Sequence, residues 1–194
     1  MASTETLSKP ANQTSRASGA DVKPVAMNIE VIIVPVSDVD RAKRFYADLG
    51  WQLDLDYVGD DYRVIQFTPP GSGCSIIFGR NVSTAAPGSL QGVHLIVSDI
   101  ETARNDLLQR GIDVSEPFHD IGGIFHHAGG AKLRVGTNPR RKSYASYASF
   151  RDPDGNGWIF QEITVRLTAD LPPGETSFTN ELADVVRQTV ANKR

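Results

Sequence analysis

Hydrophobic and polar positions along the chain follow one pattern that occurs twice. The segment VPVSDVDRAKRFYADLGWQL starts at Val34, and LIVSDIETARNDLLQRGIDV starts at Leu95, 61 positions later. Each copy begins with β-branched residues at strand spacing, continues through about three turns of helical pattern and stops at a glycine, Gly50 or Gly111. The pattern therefore predicts a strand, a helix and a helix stop in each half of the chain.

Both predicted helices have the same start signal. Ser37 and Ser98 stand at N-cap positions, and an acidic residue, Asp40 or Glu101, follows three positions later. Side chains in this arrangement satisfy the free amide groups of the first helical turn. The sequence therefore predicts an N-cap at each serine.

Three further strand patterns follow each helix, bounded by Gly, Pro, Asp or Ser. They are WQLDLDYV, YRVIQFTP and CSIIFGR in the first half, and IDVSEPFH, YASYASFRD and GWIFQEITV in the second. The predicted order is βαβββ, twice, with modules at residues 28–80 and 92–168. Because one helix covers only one face of a sheet, we expect the modules to pair into a cup-shaped mixed β-sheet of the α+β class. A cleft between such halves is a common small-molecule site.

The two ends of the chain differ from these modules. Residues 1–27 are rich in Ser, Thr, Ala and Pro and lack the apolar stretch of a secretory signal, which predicts a disordered arm. Residues 169–194 break at Pro172 and Pro173 and then predict an amphipathic tail helix that packs on the domain or on a second subunit. Its apolar residues at helical spacing are Leu182, Val185, Val186 and Val190.

Composition and charge exclude several classes of function. The 194 residues are 40% hydrophobic, which is enough for one sizeable core. A formal net charge of −3 predicts neither nucleic acid nor an anionic membrane as a partner. The single cysteine, Cys74, excludes an internal disulfide, and no apolar run approaches the roughly 18 residues of a spanning helix. We expect a cytoplasmic protein.

The repeated segments VSDVDRAKRFYADLGW and VSDIETARNDLLQRGI, with DPDGNGW ahead of the last strand, resemble the vicinal oxygen chelate superfamily. That group includes glyoxalase I, bleomycin-resistance proteins, extradiol dioxygenases and thiol transferases acting on fosfomycin. The resemblance covers residues 28–166 and implies the glyoxalase-like cup. In the superfamily's enzymes one divalent metal is held by His, Gln and Glu side chains facing into the cup. The cup is closed within one chain or by exchange of modules between two, and we expect a homodimer.

Few of the positions that the resemblance assigns to metal ligands carry a donor here. The first falls near Val31, its equivalent in the second half is Gly92, and the position after DPDGN is Ile159. His94 shares a strand face with Gly92, since side chains alternate with period two. We therefore consider His94 a candidate metal ligand or substrate-binding residue.

The last strand leaves the direction of its carboxylate open. DPDGN is interpreted as a turn, and Gln161 shares the face of Ile159, which makes it a candidate for substrate binding. Glu162 points to the other face unless Gly157 forms a β-bulge. With such a bulge, Glu162 is a candidate metal ligand and catalytic residue.

Two segments before the last strand add candidates. In GIFHHAGG, His126 and His127 are candidate catalytic residues or ligands, although at most one would serve a given site on an extended chain. Their alternative role is a solvated or backbone-bonded histidine. In KLRVGTNPRRKSYASYASF, Arg134 is a candidate for meeting an anionic substrate, and Tyr147 is a candidate substrate-binding residue whose hydroxyl would lie near the reacting group. The alternative is a solvated surface loop that leads into a strand.

The sequence leaves two functions open. The first is an enzyme of the glyoxalase, lyase, isomerase or dioxygenase type acting on a small oxygenated molecule, with one divalent ion of zinc, iron, manganese or nickel and with Glu162, His126 or His127 moving a proton. The second is a metal-free, ligand-sequestering protein of the bleomycin-resistance kind. The histidines favour the enzyme, which we take as the first hypothesis. The apolar residues at the ligand positions favour the binding protein.

Overall fold

A computed structural model describes residues 27–121, 132–166 and 184 of the chain. Residues 1–26 of the predicted N-terminal arm and the apolar residues of the predicted tail helix lie outside these residues. The elements, in chain order, are β1 (Val31–Ile33), α1 (Val39–Asp48), β2 (Gln52–Val58), β3 (Arg63–Thr68), β4 (Ser75–Arg80), β5 (Val93–Val97), α2 (Ile100–Gln109), β6 (Phe118–Asp120), β7 (Leu133–Val135), β8 (Tyr147–Arg151) and β9 (Gly157–Glu162).

The strands form two mixed sheets, one for each half of the chain. The first sheet has the order β1-β4-β3-β2 and the second the order β5-β9-β8-β6-β7. In each sheet the strand that precedes the helix pairs in parallel with the last strand of its module, and every other pairing is antiparallel. The predicted α+β class and the repeat of strand, helix and further strands are confirmed.

The second module departs from the predicted strand pattern in two places. The segment read as one strand from residue 112 to 119 is divided: Val114 forms a single bridge to Phe150, and β6 begins at Phe118. Pro117 lies between them, and its missing amide hydrogen removes a donor from the ladder. The basic segment after residue 131 contains a short additional strand, β7, which pairs with β6.

Both helices begin one residue later than the predicted caps. Asp38 and Asp99 are the N-caps, and their carboxylates accept hydrogen bonds from the backbone amides of Arg41 and Thr102 at 2.9 and 2.8 Å. The hydroxyl of Ser37, the predicted cap, instead donates a hydrogen bond to Asp154 in the second module. The helix stops are as predicted, because the glycines after both helices have a positive φ. Neither helix in the described part of the chain is long and apolar enough to cross a membrane.

One hydrophobic core joins the two modules. Trp51 and Trp158, from opposite halves, meet edge to face at a ring separation of 5.3 Å, and Tyr46 packs on both at 5.3 and 6.1 Å. Each sheet turns alternate residues of its strands towards this core. The remaining residues form what we call the outer face of each sheet, which is the face turned away from the shared core.

The turn at residues 152–156, called here the DPDGN turn, binds the two modules together. Asn156 is fully buried, donates hydrogen bonds to the carbonyl of Pro35 at 2.9 Å and to the Asp152 carboxylate at 2.7 Å, and accepts one from the Leu90 amide at 3.1 Å. The hydroxyl of Tyr46 donates to the same Asp152 carboxylate at 2.9 Å. Burial, together with that carboxylate, raises the pKa of Tyr46, so its hydroxyl remains a donor.

A third residue of the DPDGN turn extends the contact to α1. The Asp154 carboxylate accepts hydrogen bonds from the amide and hydroxyl of Ser37 at 3.1 and 2.5 Å and from the Arg41 guanidinium at 2.9 Å. The turn just before β9 is therefore fixed to the start of the first helix. The interpretation of DPDGN as a structural turn agrees with these bonds.

We predict that Asn156→Ala lowers the free energy of unfolding by about 2–4 kcal/mol, because it removes the three hydrogen bonds that this fully buried side chain makes to Pro35, Asp152 and Leu90. Urea unfolding followed by tryptophan fluorescence measures the change. The control is Asp60→Ala in an exposed loop, for which we expect a change within about 0.5 kcal/mol. Equal stability of the two variants would contradict the role given to the turn.

Candidate functional site

The outer face of the second sheet brings together side chains from four strands. Pairing of β5, β9, β8 and β6 places His94 beside Ile159, Ile96 beside Gln161, and Tyr147 beside both Gln161 and Phe118. Paired residues share a face, so these side chains form one surface. The members of this surface are Ile96, His94, Ile159, Ser149, Gln161, Tyr147 and Phe118.

Aromatic rings occupy the middle of this surface. Phe118 stacks on Tyr147 with ring centroids 5.7 Å apart and planes 24° apart, and His94 meets Tyr147 edge to face at 6.4 Å. His94 Nδ1 lies 3.0 Å from the carbonyl oxygen of Gly92. Because a carbonyl only accepts, the neutral ring carries its proton on Nδ1, and Nε2 is its acceptor nitrogen.

A fixed group of hydrogen bonds lies beside these rings. The Tyr147 hydroxyl donates to the carbonyl of Tyr144 at 2.7 Å, and Gln161 Nε2 donates to that carbonyl at 3.2 Å and to the Tyr147 hydroxyl at 3.3 Å. Burial raises the pKa of Tyr147 to about 12, so the hydroxyl is protonated near neutral pH. Tyr147 and Gln161 are 1% and 7% exposed and therefore keep this arrangement.

Two clefts border the surface. One, of about 400 Å³, is lined by Ser149, Arg151 and Ile159 together with Ser115 and Asp113. The other, of about 510 Å³, lies between the modules, where Trp51 and the loop of residues 69–73 face His94 and Ile96. Both volumes lie within the range of small-molecule sites.

Comparison with known proteins agrees with this architecture. The model of the glyoxalase/bleomycin resistance protein/dioxygenase superfamily matches residues 28–160. The chain belongs to this superfamily. No curated protein matches it significantly.

Solved structures with the same fold support the assignment. An antibiotic binding protein, TnmS3, from Streptomyces sp. CB03234 is 27% identical, with 73% of this chain and 99% of that chain covered and a TM-score of 0.54. A glyoxalase/bleomycin resistance protein from the same organism is 28% identical, with 70% and 100% covered and a TM-score of 0.51. A superfamily member from Sphaerobacter thermophilus DSM 20745, at 24% identity, 71% and 98% coverage and a TM-score of 0.52, shows the fold alone.

Glu162 points to the face of the second sheet opposite to that of His94 and Gln161. Gly157 forms no β-bulge, since β9 pairs without interruption with β5 and with β8. The Glu162 carboxylate is 1% exposed, accepts from the Arg141 guanidinium at 2.5 and 3.2 Å and from the Ile100 amide at 3.2 Å. The same contact raises the pKa of Arg141. The structure thus makes Glu162 the buried half of an ion pair at the start of α2, in which the Arg141 side chain is half-exposed.

The other predicted site residues are not all on the outer face. Phe118 and its pairing partner Val135 lie on the outer face. Arg134 precedes Val135 in β7, and successive side chains of a strand alternate between faces, so Arg134 points to the other side of the sheet. His126 and His127 lie outside the described residues. His94, Gln161 and Tyr147 are the predicted residues that the fold assembles.

The superfamily's metal positions do not combine into a ligand set within the described ranges. Val31, Gly92 and Ile159 provide no side-chain donor, and the two proposed ligands His94 and Glu162 lie on opposite faces of the sheet. Across residues 27–121 and 132–166, no group of three or more His, Cys, Asp or Glu side chains has the geometry to hold a metal ion. These residues therefore do not fit a protein-held divalent ion, which needs several such donors.

Two residues that take part in these contacts had weaker signals in the sequence. Phe118 belongs to a segment predicted as a strand, and only the pairing of β6 with β8 shows that its ring stacks on Tyr147. Arg141 is one of several cations in a basic loop, and nothing in their spacing distinguishes the one that pairs with a buried carboxylate. Both assignments depend on contacts between segments distant along the chain.

Proposed function

We propose that the protein binds and sequesters a small molecule with aromatic surface on the outer face of its second sheet. The observation that carries this proposal is the composition of that face: stacked Phe118 and Tyr147, the neighbouring ring of His94, and one fixed polar pair formed by Tyr147 and Gln161. Such a face attracts flat apolar molecules, and its few polar groups orient them. The superfamily's metal positions are apolar or lack a side chain, which also favours binding without a metal.

Similarity to a binding protein supports the same function. TnmS3 is described as an antibiotic binding protein, and 99% of its chain aligns with this chain at 27% identity. We propose that this chain shares the general role of holding a small ligand. Its particular ligand depends on side chains that differ between the two proteins, since most positions are not identical.

We predict that 6-methoxyquinoline, a flat aromatic probe without a hydrogen-bond donor, binds with a dissociation constant on the order of 1 mM. Phe118→Ala should weaken binding about tenfold, because it removes the ring that stacks beside Tyr147. Isothermal titration calorimetry measures both values. Leu108→Ala, an exposed apolar residue on α2, is the matched control and should leave the affinity unchanged. Equal affinity for wild type and Phe118→Ala would place the probe elsewhere and contradict the proposal.

We further propose that a second copy of the chain completes the site. The outer face of the first sheet exposes four large hydrophobic residues, a surface of the kind that marks an interface. They are Val31, Ile33, Leu55 and Tyr57, with 39% to 51% of each side chain accessible. In the internal repeat Ile33 corresponds to His94, so the outer faces of the two sheets have related strand arrangements. A two-fold dimer that brings the first sheet of one copy to the second sheet of the other would cover both faces.

We predict that Ile33→Glu converts a dimer into a monomer, because it places a charge on the exposed apolar face. Analytical ultracentrifugation should give twice the mass of one chain for wild type and the mass of one chain for the variant. Leu108→Glu places the same charge on α2, where the side chain is exposed to a similar degree, and this variant should remain a dimer. A wild-type monomer, or a dimer that survives Ile33→Glu, would refute this arrangement.

An enzyme of the glyoxalase, lyase, isomerase or dioxygenase type is the second candidate function. It is supported by His94, whose exposed imidazole has Nε2 as acceptor in its neutral form and is suited to take up a proton from a substrate. His126 and His127 remain predicted partners for such a step.

Metal analysis separates the two candidates. If sequestration is the function, protein purified without a histidine tag should contain less than about one tenth of an equivalent of any transition metal, and added zinc, iron, manganese or nickel should leave its unfolding temperature unchanged. Stoichiometric metal that is lost in His94→Ala would instead favour the metal-dependent enzyme.

A further inference from the structure

The loop at residues 138–144, called here the Arg141 loop, has an unusual backbone. Arg141 and Tyr144 adopt φ angles of 48° and 69°, a region that residues with side chains seldom enter. Each such conformation has a cost and persists only where surrounding contacts enforce it. The contacts that hold Arg141 and Tyr144 in this conformation therefore indicate the role of the loop.

Glu162 supplies contacts at two points of the Arg141 loop. Its buried carboxylate accepts from Arg141 through both Nη2 and Nε, and its backbone carbonyl accepts from the Tyr144 amide at 2.8 Å. Its own amide donates to the carbonyl of Ser146 at 3.0 Å. A carboxylate buried to this degree needs a partner, and Arg141 is the cation that provides it. One residue of β9 thus fixes the loop through its side chain and its backbone.

Other partners of Arg141 contribute less. Glu101 lies at 3.3 Å and Asp99 at 3.8 Å, and their side chains are 57% and 49% exposed, against 1% for Glu162. Exposed ion pairs contribute little because water screens them. The position of Arg141 is therefore determined mainly by Glu162.

The Arg141 loop ends in the group that organises the outer face. The carbonyl of Tyr144 receives hydrogen bonds from both the Tyr147 hydroxyl and Gln161 Nε2. Because a carbonyl oxygen only accepts, both groups must donate to it. The nitrogen of the Gln161 amide therefore faces the Tyr144 carbonyl, and the oxygen of that amide faces away from it. The oxygen Oε1 of Gln161 is then an acceptor, and within the described residues it receives no hydrogen bond. The residue as a whole is 7% exposed.

We propose that Glu162 and Arg141 are positioning residues for the outer face. By fixing the Tyr144 carbonyl, they set the hydrogen-bond direction in the Tyr147–Gln161 pair, so that Gln161 Oε1 offers an acceptor to the bound molecule. The ligand class that this arrangement selects is a flat aromatic molecule bearing a hydroxyl or N–H donor. An anionic group in the same place would meet an acceptor and be disfavoured. The inference rests on the proposed binding function and specifies its ligand.

A pair of probes that differ by one donor tests this inference. For wild type, 6-hydroxyquinoline should bind about fivefold more tightly than 6-methoxyquinoline, the gain expected from one additional hydrogen bond. In Gln161→Leu, which removes the acceptor, the ratio of the two affinities should fall to about one. In Glu162→Gln and Arg141→Gln the ratio should also fall to about one, while the affinity for 6-methoxyquinoline stays within about twofold of wild type.

The control is Glu116→Gln, which removes a carboxylate paired with Arg104 at 2.6 Å elsewhere in the module and should keep the fivefold ratio. A purely structural role for Glu162 would weaken both probes equally and leave their ratio unchanged, which would overturn the inference. Arg141→Gln alters a half-exposed side chain, so it provides the test if Glu162→Gln does not fold. If wild type binds neither quinoline, the proposed function fails. If wild type binds both and the Arg141 and Glu162 variants retain the ratio, only the positioning role fails.

Discussion

The hydrogen bonds of the DPDGN turn are the constraint on which the rest of the molecule depends. Asp152 and Asn156 connect the turn to Tyr46 and Pro35 in the first module, and β9 starts immediately after it. Because Asp152 and Asn156 are buried and bonded to the first module, the turn holds β9 against a shift along its neighbours. A shift of one residue would exchange every side chain between the shared core and the outer face.

That register determines which side chains of β9 face the shared core and which face outward. Trp158 and Phe160 face the core, where Trp158 meets Trp51 of the other module, and Glu162 follows on the same side. A carboxylate on that side is enclosed, which is why it is found with a guanidinium and a helix amide. Gln161 faces the opposite way and joins the outer face. The polar end of the last strand therefore supports the fold through one residue and the candidate site through its neighbour.

The superfamily fold determines the frame of the site but not its chemistry. In this chain the frame presents aromatic rings, one exposed imidazole and a polar pair whose hydrogen bonds are already directed. A rigid face of this kind binds with little loss of conformational entropy, since Tyr147 and Gln161 are held before a ligand arrives. In the proposed dimer, the exposed apolar face of the first sheet would form the complementary wall of the site.

Much of the fold was available from the sequence alone, because it depends on local and periodic signals. The internal repeat, the helix stops at Gly50 and Gly111 and the strand patterns predicted the two-module α+β architecture, and period two predicted that His94 and Gln161 share a face. The additional strand β7 and the break at Pro117 were missed, since short edge strands carry little pattern.

The direction of Glu162 was decided by tertiary structure. It depended on whether Gly157 forms a bulge, and a glycine allows a bulge without requiring one. The pairing of β9 with one neighbour on each side, β5 and β8, removed that freedom. The partner of Glu162 was equally hidden, because Arg141 reaches it through a backbone turn that only the folded loop adopts. Sequence periodicity thus determined which faces exist, and contacts between distant segments decided what each carboxylate, ring and amide does there.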